Sequence, residues 1–178
     1  MKTITKLFTL AAILLITGFT TNVMAQGTVT GTTAGANILE PITLTKNEVL
    51  NFGSMSVAIA IGGTCVLSTQ GNRSATGGVS ISPICPSATK AAFTVTGSPA
   101  TATYVIMLPG TITVTNGTPA QDMLITPVAR ASAAVVDGTT GTLSGGSDTF
   151  TVGGTLNVAA AQPAVAYSGT FSVTVGYN

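Results

Sequence analysis

The side chains that could carry chemistry in this sequence are few and scattered. Histidine, the usual general base and the commonest metal ligand, is absent from all 178 residues. The acidic residues stand singly, without the close pair that a glycosidase or a calcium site requires. No serine lies in a GxSxG motif. We therefore predict no catalytic residues, no metal site, no cofactor and no enzymatic activity.

The N-terminus has the three parts of a secretory signal peptide. Two lysines make a basic start, residues 7–19 form an uncharged and mostly apolar run, and Ala25 completes a small-residue cleavage motif. The run has 13 residues, fewer than the roughly 20 that a membrane-spanning helix needs. We predict a signal peptide over residues 1–25 and an exported mature chain over residues 26–178.

Cys65 and Cys85 are the only cysteines, and their spacing is not that of a CxxC redox motif. In an exported chain, an oxidising compartment favours a structural disulfide over metal or redox chemistry. The bridge would close a loop of about 20 residues and add on the order of 3 kcal/mol in the chain-entropy model. We therefore predict a disulfide between these two cysteines.

The mature chain is almost neutral and poor in aromatic residues. Residues 26–178 contain four basic and five acidic side chains, which gives a net charge of −1. Such a surface has no electrostatic reason to bind nucleic acid or anionic lipid. Without tryptophan and with few other aromatics, the chain also lacks the stacking platforms of sugar-binding and single-strand-binding proteins. We expect no nucleic-acid partner and no small-molecule substrate.

Residue types and periodicity predict an all-β domain. Threonine and valine are abundant, and both are β-branched residues that favour strands. Short alternating runs are separated by glycine, proline and asparagine turns, with no helical period. The pattern predicts about eight to ten short strands arranged as a β-sandwich.

Five segments give more local expectations. Pro41 cannot donate to a ladder, so the first strand should begin after it or lie at an edge. The polar stretch of residues 71–78 is typical of a hairpin loop, whereas residues 102–108 are apolar on both faces and predict a central strand. Residues 116–117 are an Asn-Gly turn signal. Residues 167–178 alternate without interruption and predict a final strand.

The first mature residues form a separate segment. Residues 26–37 are small, polar and rich in glycine, with no side chain large enough to anchor a core. They are typical of a flexible tail, yet they still alternate and could become a strand if an edge were offered. We therefore divide the chain into a signal peptide (1–25), an N-terminal extension (26–37) and a sandwich domain (38–178).

The chain resembles a bacterial family of small exported proteins of uncharacterised function in four segments, which are LNFGSM, GNRSATGGVSI, AAFTVTG and the final FTVGGTLNVAAAQPAVAYSGTFSVTVGYN. That family is similar to the fimbrial subunits built by the chaperone-usher route, including the spore-coat-U-like pilins. The resemblance covers nearly all of the mature chain and is strongest over its last thirty residues. Val165 departs from it, because the family usually has glycine two residues before the tyrosine of the YSGTF segment.

The resemblance implies an immunoglobulin-like, pilin-like sandwich that lacks its final strand and ends on the strand bordering the resulting groove. It implies that four side chains of the last strand line this groove or contact a chaperone's strand, namely Phe171, Val173, Val175 and Tyr177. The N-terminal extension of a neighbouring subunit would fill the groove by β-strand addition. The donor side chains would be Val29, Ala34, Ala36 and Ile38.

Two functions remain open at this stage. The resemblance implies a structural subunit of a fimbria-like surface fibre, whose partners are copies of itself or related subunits, a periplasmic chaperone and an outer-membrane usher. Such a subunit passes through the periplasm to the cell surface. The alternative is a self-contained secreted or cell-surface binding module, in which the N-terminal extension pairs within its own chain.

Overall fold

The structure is a computed structural model that describes residues 30–83, 87–132, 134 and 136–178. The predicted signal peptide, Val29 and Cys85 lie outside the described residues. The chain divides into two units, Met1–Asn37 and Ile38–Asn178. In the first unit, the described residues are exposed and have no regular secondary structure.

The described part of the second unit consists of strands and one short 3-10 helix, Pro119–Gln121. The strands are β1 (Thr43–Glu48), β2 (Met55–Val57), β3 (Gly63–Leu67), β4 (Arg73–Gly77), β5 (Val79–Ile81), β6 (Ala91–Thr96), β7 (Thr103–Met107), β8 (Ile112–Val114), β9 (Met123–Ala131), β10 (Thr140–Thr142), β11 (Ser147–Val158) and β12 (Thr174–Tyr177). No helix in the described ranges has the length and apolar character needed to cross a membrane.

Antiparallel pairing joins the strands into a curled sandwich, which confirms the all-β prediction. The largest sheet follows the path β1-β6-β11-β3-β4, with β9 on the other edge of β11 and β8 beside β9. A second sheet has the order β10-β7-β12, and β2 pairs with β5. As the apolar character of residues 102–108 predicts, β7 is the central strand of its sheet.

Gly153 marks the point where β11 changes its pairing partner. Along one edge, β11 pairs with β6 up to Val152 and with β3 from Gly154 onward. A Cβ atom at Gly153 would overlap the backbone carbonyl oxygen of Leu67 and lie 2.9 Å from the amide nitrogen of Thr69. Only a residue without a side chain therefore allows the two neighbouring strands to meet on β11.

Two clusters of buried side chains fill the sandwich. The first contains Phe52, Cys65, Leu67, Val79, Ile112, Met123, Ile125, Leu156 and Val158. The second contains Ala91, Phe93, Val95, Tyr104, Ile106, Ala129, Leu143, Phe150 and Val152. In the second cluster the rings of Phe93 and Phe150 stack, with centroids 5.0 Å apart. Successive residues of β6 and β11 alternate between core and surface, as the strand period requires.

A buried carboxylate links the two sheets. The hydroxyl of Tyr104, on β7, donates to Asp148 Oδ2 at 2.8 Å. The other oxygen, Oδ1, accepts from the Ser132 hydroxyl and from the Thr149 amide. Burial raises the pKa of Tyr104, and the hydrogen bond to the Asp148 carboxylate and its negative charge raise it further. The only charged side chain of this core thus has three donors to satisfy it among the described residues.

The predicted loop over residues 71–78 is wrong, because Arg73–Gly77 form β4 and pair with β3. The turn lies earlier, where the Ser68 amide donates to the Asn72 carbonyl and Gly71 has a φ of +94°. The guanidinium of Arg73 donates to the carbonyl oxygens of Phe52, Ser54 and Ser82 at 2.8 to 3.1 Å. Small polar residues suit an edge strand in contact with solvent as well as they suit a loop.

Cys65 lies on β3, and its side chain is fully buried in the first cluster. Burial raises the pKa of the Cys65 thiol, an effect that the nearby charge of Arg73 opposes. Its predicted partner, Cys85, lies outside the described residues, so the disulfide stays a prediction.

We expect the Cys65 thiol to resist alkylation while the domain is folded, because a buried thiol of raised pKa forms little of the reactive thiolate. A Cys85→Ser variant leaves Cys65 as the sole cysteine. Near the ordinary thiol pKa of about 8.5, iodoacetamide should leave this variant unlabelled in buffer and label it in denaturant, as read by mass spectrometry. Equal labelling rates in the two conditions would contradict the buried placement.

Candidate functional site

Strands β1 and β12 are edge strands that approach each other without pairing. In the described part of the chain, β1 pairs with β6 alone and β12 with β7 alone. The two strands are nevertheless in contact, and the Tyr177 hydroxyl donates to the carbonyl oxygen of Glu40, just before β1, at 3.0 Å. Within the described residues, each strand therefore has one edge of main-chain donors and acceptors without a ladder partner.

These two strands and the residues next to them carry partly exposed apolar side chains. They pack against the second buried cluster but are not fully covered, and we call them together the open groove: Ile42, Leu44 and Leu50 on the β1 side, and Phe171, Val173, Val175 and Tyr177 on the β12 side. All four groove residues predicted on the last strand are thus brought together at one site. Sequence reasoning missed the β1 side, although Ile42 and Leu44 alternate with threonines directly after Pro41.

The last strand is shorter than predicted. Ladder pairing covers only Thr174–Tyr177, opposite Tyr104–Met107 of β7, while Ser168 forms an isolated bridge with Thr115. The opposite chain is interrupted between β7 and β8 at Pro109, which has no N–H to donate to a ladder. The alternation in burial continues regardless, because Phe171 and Val173 are partly buried while Ser172 is exposed.

A cleft of about 480 Å³ opens where the pairing is interrupted. It is lined by Pro109, Thr111, Ile112, Thr113, Thr170, Phe171 and Ser172. The Phe171 side chain packs against both buried clusters and forms one wall of this cleft. Residues 169–173 have no ladder partner within the described residues, and the packing of Phe171 holds this segment on the core.

Tyr177 closes one end of the open groove. Its hydroxyl accepts from the Ser98 amide at 2.9 Å and donates to the Glu40 carbonyl. Gly97 makes room for the phenol, since a Cβ there would overlap the Tyr177 hydroxyl. The ring thereby joins the end of the last strand, the loop after β6 and the backbone before β1.

The open groove combines apolar side chains with the main-chain donors and acceptors of two strand edges. Only β1 carries charges there, on Lys46 and Glu48, and both side chains are exposed. The described residues contain no cluster of three or more His, Cys, Asp or Glu side chains that could hold a metal ion. An extended apolar segment could bury its side chains in this channel and hydrogen-bond to the edge of a strand.

The predicted donor side chains fall in two places. Ala34 and Ala36 are exposed in the first unit, and Ile38 begins the second unit with 94% of its surface exposed. Val29 lies outside the described residues. Pairing of the extension, within its own chain or with another, stays a prediction.

Comparison with known proteins identifies a family. The sequence profile of the family described as "Domain of unknown function (DUF4402)" matches residues 42–177. The matched range begins at Ile42 and ends at Tyr177, so it spans both sides of the open groove and leaves residues 30–41 outside. No curated protein and no solved structure matches the chain.

Proposed function

The chain belongs to the DUF4402 family, and from this premise we propose that it is a structural subunit of a bacterial surface fibre, exported and then assembled by β-strand donation. The observation that carries the proposal is the open groove. Seven partly exposed apolar side chains, on and beside β1 and β12, pack against one buried cluster, and each of these strands has one edge without a ladder partner in the described residues. The role is mechanical and needs no active site.

A donated strand would stabilise the domain in two ways. Its main-chain groups would hydrogen-bond to the edge of β12 or β1 that has no ladder partner among the described residues, and its side chains would cover Val173, Val175 and Leu44. Burial of apolar surface contributes about 25 cal/mol per Å², so covering even part of the groove favours binding. Because donor and acceptor are different parts of the chain, the contact is heterologous and builds an open fibre.

The donor in this proposal is the N-terminal extension of a neighbouring copy or a related subunit. The pilin resemblance adds two further partners, a periplasmic chaperone that covers the groove before assembly and an outer-membrane usher. Exposed hydrophobic edges otherwise promote aggregation, which gives the chaperone a physical purpose.

A self-contained secreted or cell-surface binding module is the second candidate. It is favoured by the small side chains of Ala34 and Ala36, which would cover less of the open groove than larger apolar residues. In this case the extension pairs within its own chain and the monomer is complete.

The first experiment compares the exported mature protein with a variant lacking residues 26–37, by electrophoresis without boiling. We expect the intact chain to give a ladder of heat-sensitive multimers, because strand exchange buries whole edges and dissociates slowly, and the truncated chain to give none. A single monomer band from both proteins would overturn the fibre proposal and favour the self-contained module.

A matched pair of point variants tests the acceptor side. Val173 is partly buried against the second cluster and belongs to the open groove, whereas its neighbour Thr174 is exposed. We expect Val173→Lys to abolish the ladder, because a charge in an apolar channel opposes strand burial, and Thr174→Lys to retain it. Val173→Thr, which keeps the shape of the side chain, serves as a milder variant if Val173→Lys fails to fold. Equal ladders from all three would contradict donation into this groove.

A further inference from the structure

An exposed apolar surface that shares no residue with the open groove lies at one end of the domain. Ile59 and Ile61, in the loop after β2, are 85% and 61% exposed. Alanines 58, 60, 159, 160 and 161 beside them are also exposed. The Ala161 amide donates to the Ala58 carbonyl at 3.2 Å and joins the two loops. We call residues 58–61 and 159–161 the terminal patch.

The composition around the terminal patch is unusual for a solvated surface. Residues 49–72 and 149–178, which contain both loops, have no charged side chain. Val165, on the same loop as residues 159–161, is exposed as well. Contiguous apolar surface of this kind is typical of an interaction site, because water solvates it poorly.

A second apolar surface lies at the opposite end of the same domain. Ile38 and Leu39 are 94% and 44% exposed and directly precede Glu40, which contacts Tyr177. The Gly97 amide, which lies next to Tyr177, donates to the carbonyl oxygen of Gly146, the residue directly before β11. The terminal patch follows Val158, where β11 ends, so the ends are separated by the length of this strand, roughly 35 Å at 3.3 Å per residue.

We propose that the terminal patch binds Ile38 and Leu39 of a second copy of this chain. The inference rests on the proposed function and specifies how consecutive subunits meet. Two different apolar surfaces at opposite ends of one molecule are complementary only in a head-to-tail arrangement. The occupant is therefore another copy, and not a symmetric partner that would bring two identical patches together.

Strand direction connects this contact with the open groove. A strand donated antiparallel to the last strand runs from Tyr177 toward Ser168 and leaves the groove at that end. The loop that carries Ala161 and Val165 lies there, directly before Ser168. Ile38, the last of the predicted donor side chains, and Leu39 lie at the C-terminal end of the donated segment, so antiparallel donation brings them to the terminal patch of the acceptor. A parallel strand would leave the groove at the Tyr177 end instead.

Site-specific photo-cross-linking tests the contact in the full exported chain. A benzophenone amino acid replaces Ile59 in one variant and Val136, which is 73% exposed on the β9–β10 loop, in the control. We expect the Ile59 position to yield a covalent dimer whose cross-linked peptide contains Ile38 and Leu39, and the Val136 position to yield no such peptide.

The outcomes separate this inference from the proposed function. Heat-sensitive multimers without a cross-link from position 59 to Ile38 or Leu39 would overturn the docking contact and leave strand donation standing. Absence of multimers in the unmodified chain would overturn both.

A double substitution measures how strongly the terminal patch contributes to the association of subunits. We expect Ile59→Ser with Ile61→Ser to speed the dissociation of multimers by at least about tenfold, since apolar area buried on association is lost. Val136→Ser should leave the rate unchanged. Melting temperatures of the monomers are compared in parallel, because a contact between subunits affects dissociation without affecting the monomer. Unchanged dissociation in the double variant would contradict the contact.

Discussion

Replacing Gly153 by alanine is expected to destabilise the domain by about 3 kcal/mol or more, a large fraction of the 5 to 15 kcal/mol typical of folded domains. The new methyl group would meet backbone atoms, the carbonyl of Leu67 and the amide of Thr69, and not the flexible end of a side chain. Relief requires β3 to move away from β11, which breaks the ladder that begins at Gly154. Denaturant unfolding of the purified domain measures the loss.

Gly176→Ala is the matched control for this prediction. Gly176 also lies in a strand, β12, but a Cβ there meets no other atom within 4 Å. Alanine should therefore be tolerated to within about 0.5 kcal/mol, as expected of an uncrowded surface position. Similar unfolding midpoints for the two variants would show that the close approach at Gly153 can relax, and would refute the role given to it.

Replacing Asp148 by alanine is expected to lower the free energy of unfolding by about 3 kcal/mol, which is the second large effect. The substitution removes the acceptor for Tyr104, Ser132 and Thr149, and Tyr104 is fully buried. A buried donor left without a partner costs roughly 1 to 3 kcal/mol, whereas Tyr104→Phe removes one donor and should cost only about 1 kcal/mol. Asp148→Asn retains an acceptor oxygen, so its loss of stability should lie between those of Asp148→Ala and Tyr104→Phe.

A double-mutant cycle assigns the effect to this hydrogen bond. In the Tyr104→Phe background, Asp148→Ala should cost less by about 1 kcal/mol, because the phenol no longer needs an acceptor. Additive costs would contradict a direct coupling between the two sheets.

Alkaline pH gives an independent readout of Tyr104. The pKa of this phenol is raised in the folded state, so folding favours its protonated form. The stability that Tyr104 contributes is fully present below the unfolded pKa of about 10 and is lost as the pH rises through the folded pKa. We therefore expect the Tyr104→Phe variant to lose less stability in alkali than the parent protein.

The apolar face of the last strand was predictable from the sequence, whereas the segment that packs beside it was not. Strict alternation placed Phe171, Val173, Val175 and Tyr177 on one face, and the structure packs that face against the core. Leu44 on β1 and Leu50, just after β1, pack against the same buried cluster, more than 120 residues away in sequence. Periodicity within one segment carries no information about which other segment lies opposite.

Two local predictions failed for the same kind of reason. Residues 73–77 were expected in a loop because they are small and polar, yet β3 offers them an edge and they pair with it. Residues 167–173 were expected in a strand because they alternate, yet the chain opposite them contains Pro109, and only Ser168 forms a bridge. In both cases hydrogen bonding depends on the partner strand, which propensity does not specify.

By itself, the sequence determined the all-β class, the scarcity of chemically active side chains and the face on which the last strand is apolar. These properties follow from residue type and spacing along one segment. Tertiary structure alone decided that β1 and β12 are neighbours, each with one edge unpaired within the described residues, that Gly153 lies where β6 and β3 meet along β11, and that apolar loops meet at one end. Each of these depends on distances between residues far apart in the chain, which are set when the sheets pack and the strands form hydrogen bonds with one another.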